Sequence, residues 1–262
     1  MSVVALMTDF GTRDHFVATM KGVVLQVDPK ATLVDITHEV DPQQVHEAAF
    51  TLRQAFPYFP SGTIFVVVVD PTVGTSRRIL AARYSDRIVL APDNGVMTLV
   101  HRDAELQEIR AVENRLYMAG TLSTTFHGRD IFAPVAGHLS KGVSLERLGP
   151  VADRIEVLQI AKPVHGPNGT ITGQVVYVDR FGNLITNISA LDLSAANLPG
   201  HCHEVFIEER DMGPIRMTYA DVPAGESVAL IGSTDMLEIA VNQGHAAGVL
   251  KLTKGATVTV HS

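Results

Sequence analysis

The chain has 262 residues, 46% hydrophobic and 19% charged, which is enough apolar material for a core and enough length to expect two domains. Its net charge of −7 argues against a nucleic-acid partner, since the densest basic cluster is only Arg77-Arg78, and an acidic surface better suits a small cationic ligand. The single cysteine, Cys202, excludes an internal disulfide and a multi-thiolate metal site.

Taken in chain order, Val3 to Met7 reads as a short buried strand that stops at Thr8-Asp9. Val17, Met20, Val24 and Val27 then keep helical spacing. Thr32 to Ile36 predicts a second strand. Asp41-Pro42 looks like an N-cap followed by a first-turn proline, with Val45, Ala49, Leu52 and Phe56 forming the stripe of the helix behind it. Ile64 to Val69 is apolar at every position, as expected of a strand covered on both faces in a parallel sheet. This βαβαβ order predicts an α/β domain with right-handed crossovers. Strands are expected at Ile79 to Arg83 and Arg87 to Leu90, a turn at Ala91 to Gly95, and a helix over Asp130 to Leu139. Pro163 to Gly169 is rich in turn formers and reads as a linker between an α/β domain, residues 1–162, and a second domain, residues 170–262. Short β-rich runs follow at Thr170 to Val178, Asn183 to Ile188, His203 to Ile207, Ser227 to Ile231 and Ala256 to Val260, predicting a small all-β, barrel-like domain. No apolar run approaches the ~20 residues of a membrane helix, and no secretory leader is visible, so a soluble cytoplasmic protein is expected.

In open α/β sheets, ligands bind beyond the carboxyl ends of the strands. The first strand ends at Asp9 and the third at Asp70, so two carboxylates fall on one rim, each in a glycine-containing loop. Each alone could simply cap a turn; the pair favours a site. Arg77 and Arg78 follow Asp70, as a surface ion pair or as groups that fix the carboxylate and polarise a water. His127 precedes a predicted helix in Thr125-Phe126-His127-Gly128-Arg129-Asp130.

Other motifs fail. Asp9-Phe10-Gly11 and Gly128-Arg129-Asp130 echo kinase tripeptides in the wrong order. No GxxxxGK[ST], GxGxxG after the first strand, or GxSxG elbow is present. His201-Cys202-His203 lacks a third metal ligand and reads as structural.

Seven motifs in order resemble one family: MTDFGTRD at the start, VDITHEV at 34–40, FPSGTIFVVVVDPTVGTSRR at 59–78, APDNG at 91–95, TFHGRD at 125–130, DRFGNLITNI at 179–188 and LEIAVNQG at 237–244. Together they resemble the SAM hydroxide adenosyltransferases, hydrolases of S-adenosylmethionine (SAM) that are related to the SAM-dependent fluorinases and chlorinases. The resemblance implies an α/β domain followed by a β-barrel-like one. It also implies a homotrimer with each active site between one subunit's N-terminal domain and its neighbour's C-terminal domain. SAM would be the substrate, with no metal or other cofactor and no nucleic-acid or membrane partner.

By the same resemblance, Asp70, Arg77 and His127 would handle the attacking water. Asp9 looks like the ligand of the ribose hydroxyls, an apt task for an ionised carboxylate. Asp14 and Asp179 look like partners of the methionine ammonium, and Phe181 and Asn183 resemble adenine contacts by stacking and amide hydrogen bonding. Ser233, Glu238, Val241 and Asn242 fall in the segment around the adenine edge, although Val241 and Phe181 could equally be core. Halogenases of this kind carry an uncharged residue, typically Tyr, where Asp70 stands, and fluorinases carry a longer insertion after the corresponding loop. Both differences favour water over halide. The loop usually reads DPGVGT, and Thr72 would strain it if that glycine needs positive φ. Two alternatives to hydrolysis remain: a halide transferase, and a SAM or adenosine sensor without turnover.

Overall fold

The computed structural model describes residues 2–195 and 204–261. It divides into two compact units, Met1–Leu158 and Gln159–Ser262. The first is built from β1 (Val3–Thr8), α1 (Phe16–Val27), β2 (Thr32–Thr37), α2 (Val45–Ala55), β3 (Ile64–Val68), β4 (Ile79–Tyr84), β5 (Arg87–Pro92), α3 (Thr98–Asp103), β6 (Leu106–Ala111) and α4 (Ala133–Ser140). Its sheet has the order β2-β1-β3-β5-β4-β6. The first four are parallel, while β4 runs antiparallel to both β5 and β6.

The unbroken apolar strands are explained by cover on both faces. Val4, Leu6, Val66 and Val68 join one core with Met20 and Val24 of α1 and Val135 and Leu139 of α4. Their alternates Ala5, Met7, Phe65 and Val67 join a second core with Ala48 and Leu52 of α2 and Val100 of α3. A wholly buried side chain such as Leu52 stabilises this arrangement by about 1.5–3 kcal/mol.

Asp41-Pro42 does not start α2. The helix begins at Val45 after a turn in which Gln43 takes φ +66°, and Gln44 occupies the N-cap position. The expected helix over Asp130 to Leu139 opens with one π turn, Gly128–Phe132, that runs into α4. The short helix α3 and the strand β6 had no clear periodic signal.

The second unit contains β7 (Val164–His165), β8 (Ile171–Val178), β9 (Leu184–Ser189), α5 (Ala190–Ala195), β10 (Glu204–Ile207), β11 (Arg210–Arg216), β12 (Ser227–Ile231), β13 (Met236–Val241), α6 (Ala246–Leu250) and β14 (Thr257–His261). The strands from β8 to β14 close into a seven-strand barrel in the order β14-β10-β11-β12-β13-β9-β8, with β14 pairing back onto β8. β7, within the turn-rich stretch 163–169, pairs with Ile171 and Thr172 of β8. Ile171, Leu184, Ile188, Val205, Ile239, Val258 and Val260 fill the barrel. His201-Cys202-His203 lies outside the described residues. Among the described residues, no helix is long and apolar enough to cross a membrane.

Candidate active site

The rim geometry follows from register. β1 and β3 are adjacent and parallel with Thr8 opposite Val68, so Asp9 and Asp70 leave the sheet side by side. β4 then runs the other way, with Ile79 opposite Pro92, the last residue of β5. That reversal returns Arg77 and Arg78 to the same rim.

Asp70, Arg77 and His127 are in direct contact. Arg77 donates from Nε to Asp70 Oδ2 at 2.8 Å and from Nη2 to the same oxygen at 2.5 Å. Nη2 also donates to His127 Nδ1 at 2.7 Å. Both members of the ion pair are buried, with side chains 4% exposed for Asp70 and 9% for Arg77. The other oxygen, Oδ1, accepts from the Thr72 backbone N–H at 3.2 Å and the Thr72 hydroxyl at 3.1 Å. The carboxylate therefore has donors on both oxygens. Because Arg77 can only donate, Nδ1 of His127 accepts, and the hydrogen of the neutral ring sits on Nε2. Burial and the adjacent guanidinium hold the imidazole below its ordinary pKa of 6.5, against a smaller upward pull from Asp70.

Arg78, one residue on, does something different. It binds Asp93 Oδ2 through Nε at 2.9 Å and Nη2 at 2.7 Å, while Asp93 Oδ1 accepts from Glu156 N–H at 2.7 Å. It is a strut between the rim and residues 153–156.

The loop after Asp70 is shaped by Gly74 rather than by position 72. Thr72 does not adopt positive φ, whereas Gly74 has φ +81°. A Cβ at Gly74 would collide with the Thr124 carbonyl. The strain expected of Thr72 is absent, and its hydroxyl instead contributes a bond to Asp70. Asn94 of the APDNG turn donates to Val69 O at 2.9 Å, fixing the peptide just before Asp70.

On the other side, the His127 turn is knotted by its own polar groups. Asp130 Oδ2 accepts Ser123 N–H at 2.8 Å, and Ser123 Oγ accepts Phe126 N–H at 2.9 Å. Arg129 holds Asp130 ionised and below its usual range. A Cβ on Gly128 would lie 3.0 Å from Met20 Sδ and 3.4 Å from the Phe10 ring, so the π turn seats directly on α1 and the Asp9 loop. π turns of this kind recur at functional sites.

Asp9 Oδ2 accepts from Gln43 N–H at 2.8 Å, and its loop is flanked by Phe10, which packs edge-on against Phe16 and Phe126. Asp14 is exposed on the segment leading into α1.

In the second unit, Asp179 organises the DRFGN turn. Its Oδ1 accepts from Phe181 N–H at 2.9 Å and Asn183 N–H at 2.8 Å, and its Oδ2 from Asn183 Nδ2 at 3.0 Å. Asn183 thus uses one amide hydrogen to brace Asp179. Phe181 is 73% exposed and no part of the core. Val241 does face the barrel core. Ser233 is exposed in the β12–β13 turn, and Asn242 donates to Val222 O at 2.8 Å, tying down the strand end.

Glu238 is buried on β13 and accepts from the Tyr219 hydroxyl at 2.7 Å. Burial and the field of Asp179 push its pKa up, while the Tyr219 bond opposes them. Tyr219 itself is pushed up to about 12, by burial first and then by Glu238. Tyr219 had no motif to announce it, and Thr72 stood in its motif only as a departure, with no sign that its hydroxyl binds Asp70. His245 was equally silent, although it presses on Gly182 (φ +85°) and caps α6 by accepting Gly248 N–H at 3.0 Å.

Comparison with known proteins gives a consistent result. Residues 4–149 match the model of the SAM hydroxide adenosyltransferase N-terminal domain, and residues 173–259 that of the C-terminal domain. A (R)-S-adenosyl-L-methionine hydrolase of Thermus thermophilus is 37% identical, with 98% of this chain and 99% of the relative covered. A fluorinase of Actinoplanes sp. is 30% identical over 98% of this chain and 97% of its own length. A crystal structure of an uncharacterized conserved protein from Thermotoga maritima superimposes with a TM-score of 0.92 at 39% identity, covering 99% of this chain and all of that one.

Proposed function

This chain belongs to the SAM hydroxide adenosyltransferase family, and on that premise we propose that it hydrolyses S-adenosyl-L-methionine to adenosine and L-methionine. Water attacks the ribose C5′ in line with the departing sulfur. The C5′–O bond forms, the C5′–S bond breaks with its electron pair going to methionine, and the attacking water gives up one proton, which passes to solvent. The sulfonium is already an activated leaving group, so the chemistry asks for no metal, cofactor or general acid. What the protein supplies is placement and desolvation of the water.

The buried Asp70–Arg77–His127 contact carries this reading. Asp70 holds donors on both oxygens, which suits it to orienting Arg77 rather than to accepting the proton. Arg77 and the Nε2–H of His127 are then the groups that bind and polarise the water as it takes on hydroxide character. A halide transferase is disfavoured, because the Arg77 charge that would draw in a halide is already paired with Asp70. Asp9 takes the ribose diol, Asp14 and Asp179 the methionine ammonium, and Phe181 and Asn183 the adenine. Ser233, Glu238 and Asn242 line its edge, and Val241 supports them from the barrel core. The enzyme works in the cytoplasm as a homotrimer, each site combining one subunit's N-terminal unit with a neighbour's C-terminal unit.

The relatives' names specify the (R) sulfonium epimer. We extend that preference to this chain.

Chromatography of products tests the proposal. Wild-type protein should release adenosine and methionine from SAM, faster from the (R) than the (S) epimer. Asp70→Ala should lose at least about a hundredfold in kcat, the scale of removing a preorganised electrostatic group. Absence of adenosine at high enzyme concentration would leave only a sensor, and a chloride-dependent 5′-chloro product would restore the halogenase.

A further inference from the structure

Thr8, the last residue of β1, is wholly buried and immediately precedes Asp9. Its hydroxyl lies 2.9 Å from Nδ1 of His38, which is itself only 4% exposed. The Thr8 oxygen also accepts Phe10 N–H at 3.3 Å, and the His38 carbonyl accepts Gly11 N–H at 2.7 Å. His38 therefore grips the chain on both sides of Asp9. β2 carries a bulge here, with Leu6 opposite Asp35 and Met7 opposite Thr37, so Ile36 has no counterpart and the register is offset before His38. Nε2 of His38 sits 3.0 Å from Asp35 Oδ1, off the axis of a good hydrogen bond, and Asp35 in turn pairs with Lys21 at 2.6 Å. A carboxylate beside Nε2 favours the hydrogen there and leaves Nδ1 to accept from Thr8. The donors then run in one direction, from Phe10 N–H to Thr8 Oγ and from the Thr8 hydroxyl to His38.

A buried imidazole is an expensive way to fill space, since its polar atoms lose water. An aliphatic residue would serve packing alone. We propose that His38, acting through Thr8, is a positioning residue that sets the Asp9 carboxylate for bidentate capture of the ribose 2′- and 3′-hydroxyls. The proposal rests on the assignment of Asp9 to the ribose. Two hydrogen bonds to one diol demand a carboxylate fixed in both place and rotation. Gln43 N–H restrains one oxygen, and the Thr8–His38 bond fixes the backbone from which the side chain springs.

The readout specific to this role is discrimination between adenosine and 2′-deoxyadenosine, measured by calorimetry alongside KM and kcat for SAM. Thr8→Val keeps the shape and removes the hydroxyl. It should weaken adenosine binding and raise KM about fivefold to tenfold, the worth of one net hydrogen bond. 2′-Deoxyadenosine binding should hardly change, kcat should move much less than KM, and Thr8→Ser should restore the wild-type ratio. His38→Gln, which removes the acceptor facing Thr8, should behave like Thr8→Val and serves if that variant fails to fold. Wild-type discrimination preserved in Thr8→Val and His38→Gln, with only a lowered Tm, would overturn the positioning role alone. No discrimination by the wild type would overturn the assignment of Asp9, and this proposal with it.

Discussion

Nη2 of Arg77 is shared between Asp70 Oδ2 and His127 Nδ1, so the imidazole keeps its acceptor only while neutral. Protonating Nδ1 would set N–H against N–H and break the contact. Because burial and Arg77 both lower the His127 pKa below 6.5, the acid limb of kcat/KM assigned to this residue should fall below that value. The sign follows from the causes: Arg77→Gln removes a cation that disfavours imidazolium and leaves Asp70, which favours it. The His127 midpoint, followed by NMR of the ring C–H signals, should therefore rise in Arg77→Gln. A midpoint that stays put or falls would mean that Arg77 does not set the histidine's charge. The three residues were visible in the sequence as types at motif positions. The order of donation was not, because it depends on which oxygen of Asp70 each group meets.

The loop between β3 and β4 shows what local sequence can and cannot say. Glycine signals a special backbone, and this loop carries one at Gly74. Only the fold reveals that Gly74 presses on Thr124 while position 72 is unstrained. Gly74→Ala should combine a left-handed strain of about 1–2 kcal/mol with a backbone collision, lowering Tm and displacing both Asp70 and the His127 loop. Activity should fall more than stability alone explains, as measured by kcat at temperatures well below the transition. Wild-type kcat in Gly74→Ala would contradict the tight seating of the two loops. The parallel strands were legible because β1 and β3 are apolar on both faces, and the helices α1 and α2 because their stripes are regular. The start of α2 differs from the sequence expectation: Asp41-Pro42 has the chemistry of a cap, but the turn through Gln43 delivers a backbone N–H to Asp9 instead. β13 gives no clear strand signal because it carries Glu238 in the middle, a carboxylate that only Tyr219 and the barrel context explain.

For the whole molecule, the change of texture near the middle of the chain announced two kinds of architecture, and the barrel's closure lay beyond it because β14–β8 pairing is long-range. The residues assigned to the ligand are divided between the two units, Asp9, Asp14, Asp70, Arg77 and His127 in the first and Asp179, Phe181, Asn183 and Glu238 in the second. A trimer that completes each site from neighbouring subunits should sediment with a three-chain mass, and specific activity should drop on dilution as that species dissociates. A fully active monomer would exclude shared sites. In the proposed reaction the oxygen of the adenosine 5′-hydroxyl comes from water. Incubation with SAM in heavy-oxygen water, followed by mass spectrometry of the products, should place the label at the 5′-oxygen of adenosine and leave methionine unlabelled. Adenosine formed without that label, or a 5′-substituted nucleoside in its place, would contradict hydrolysis at C5′.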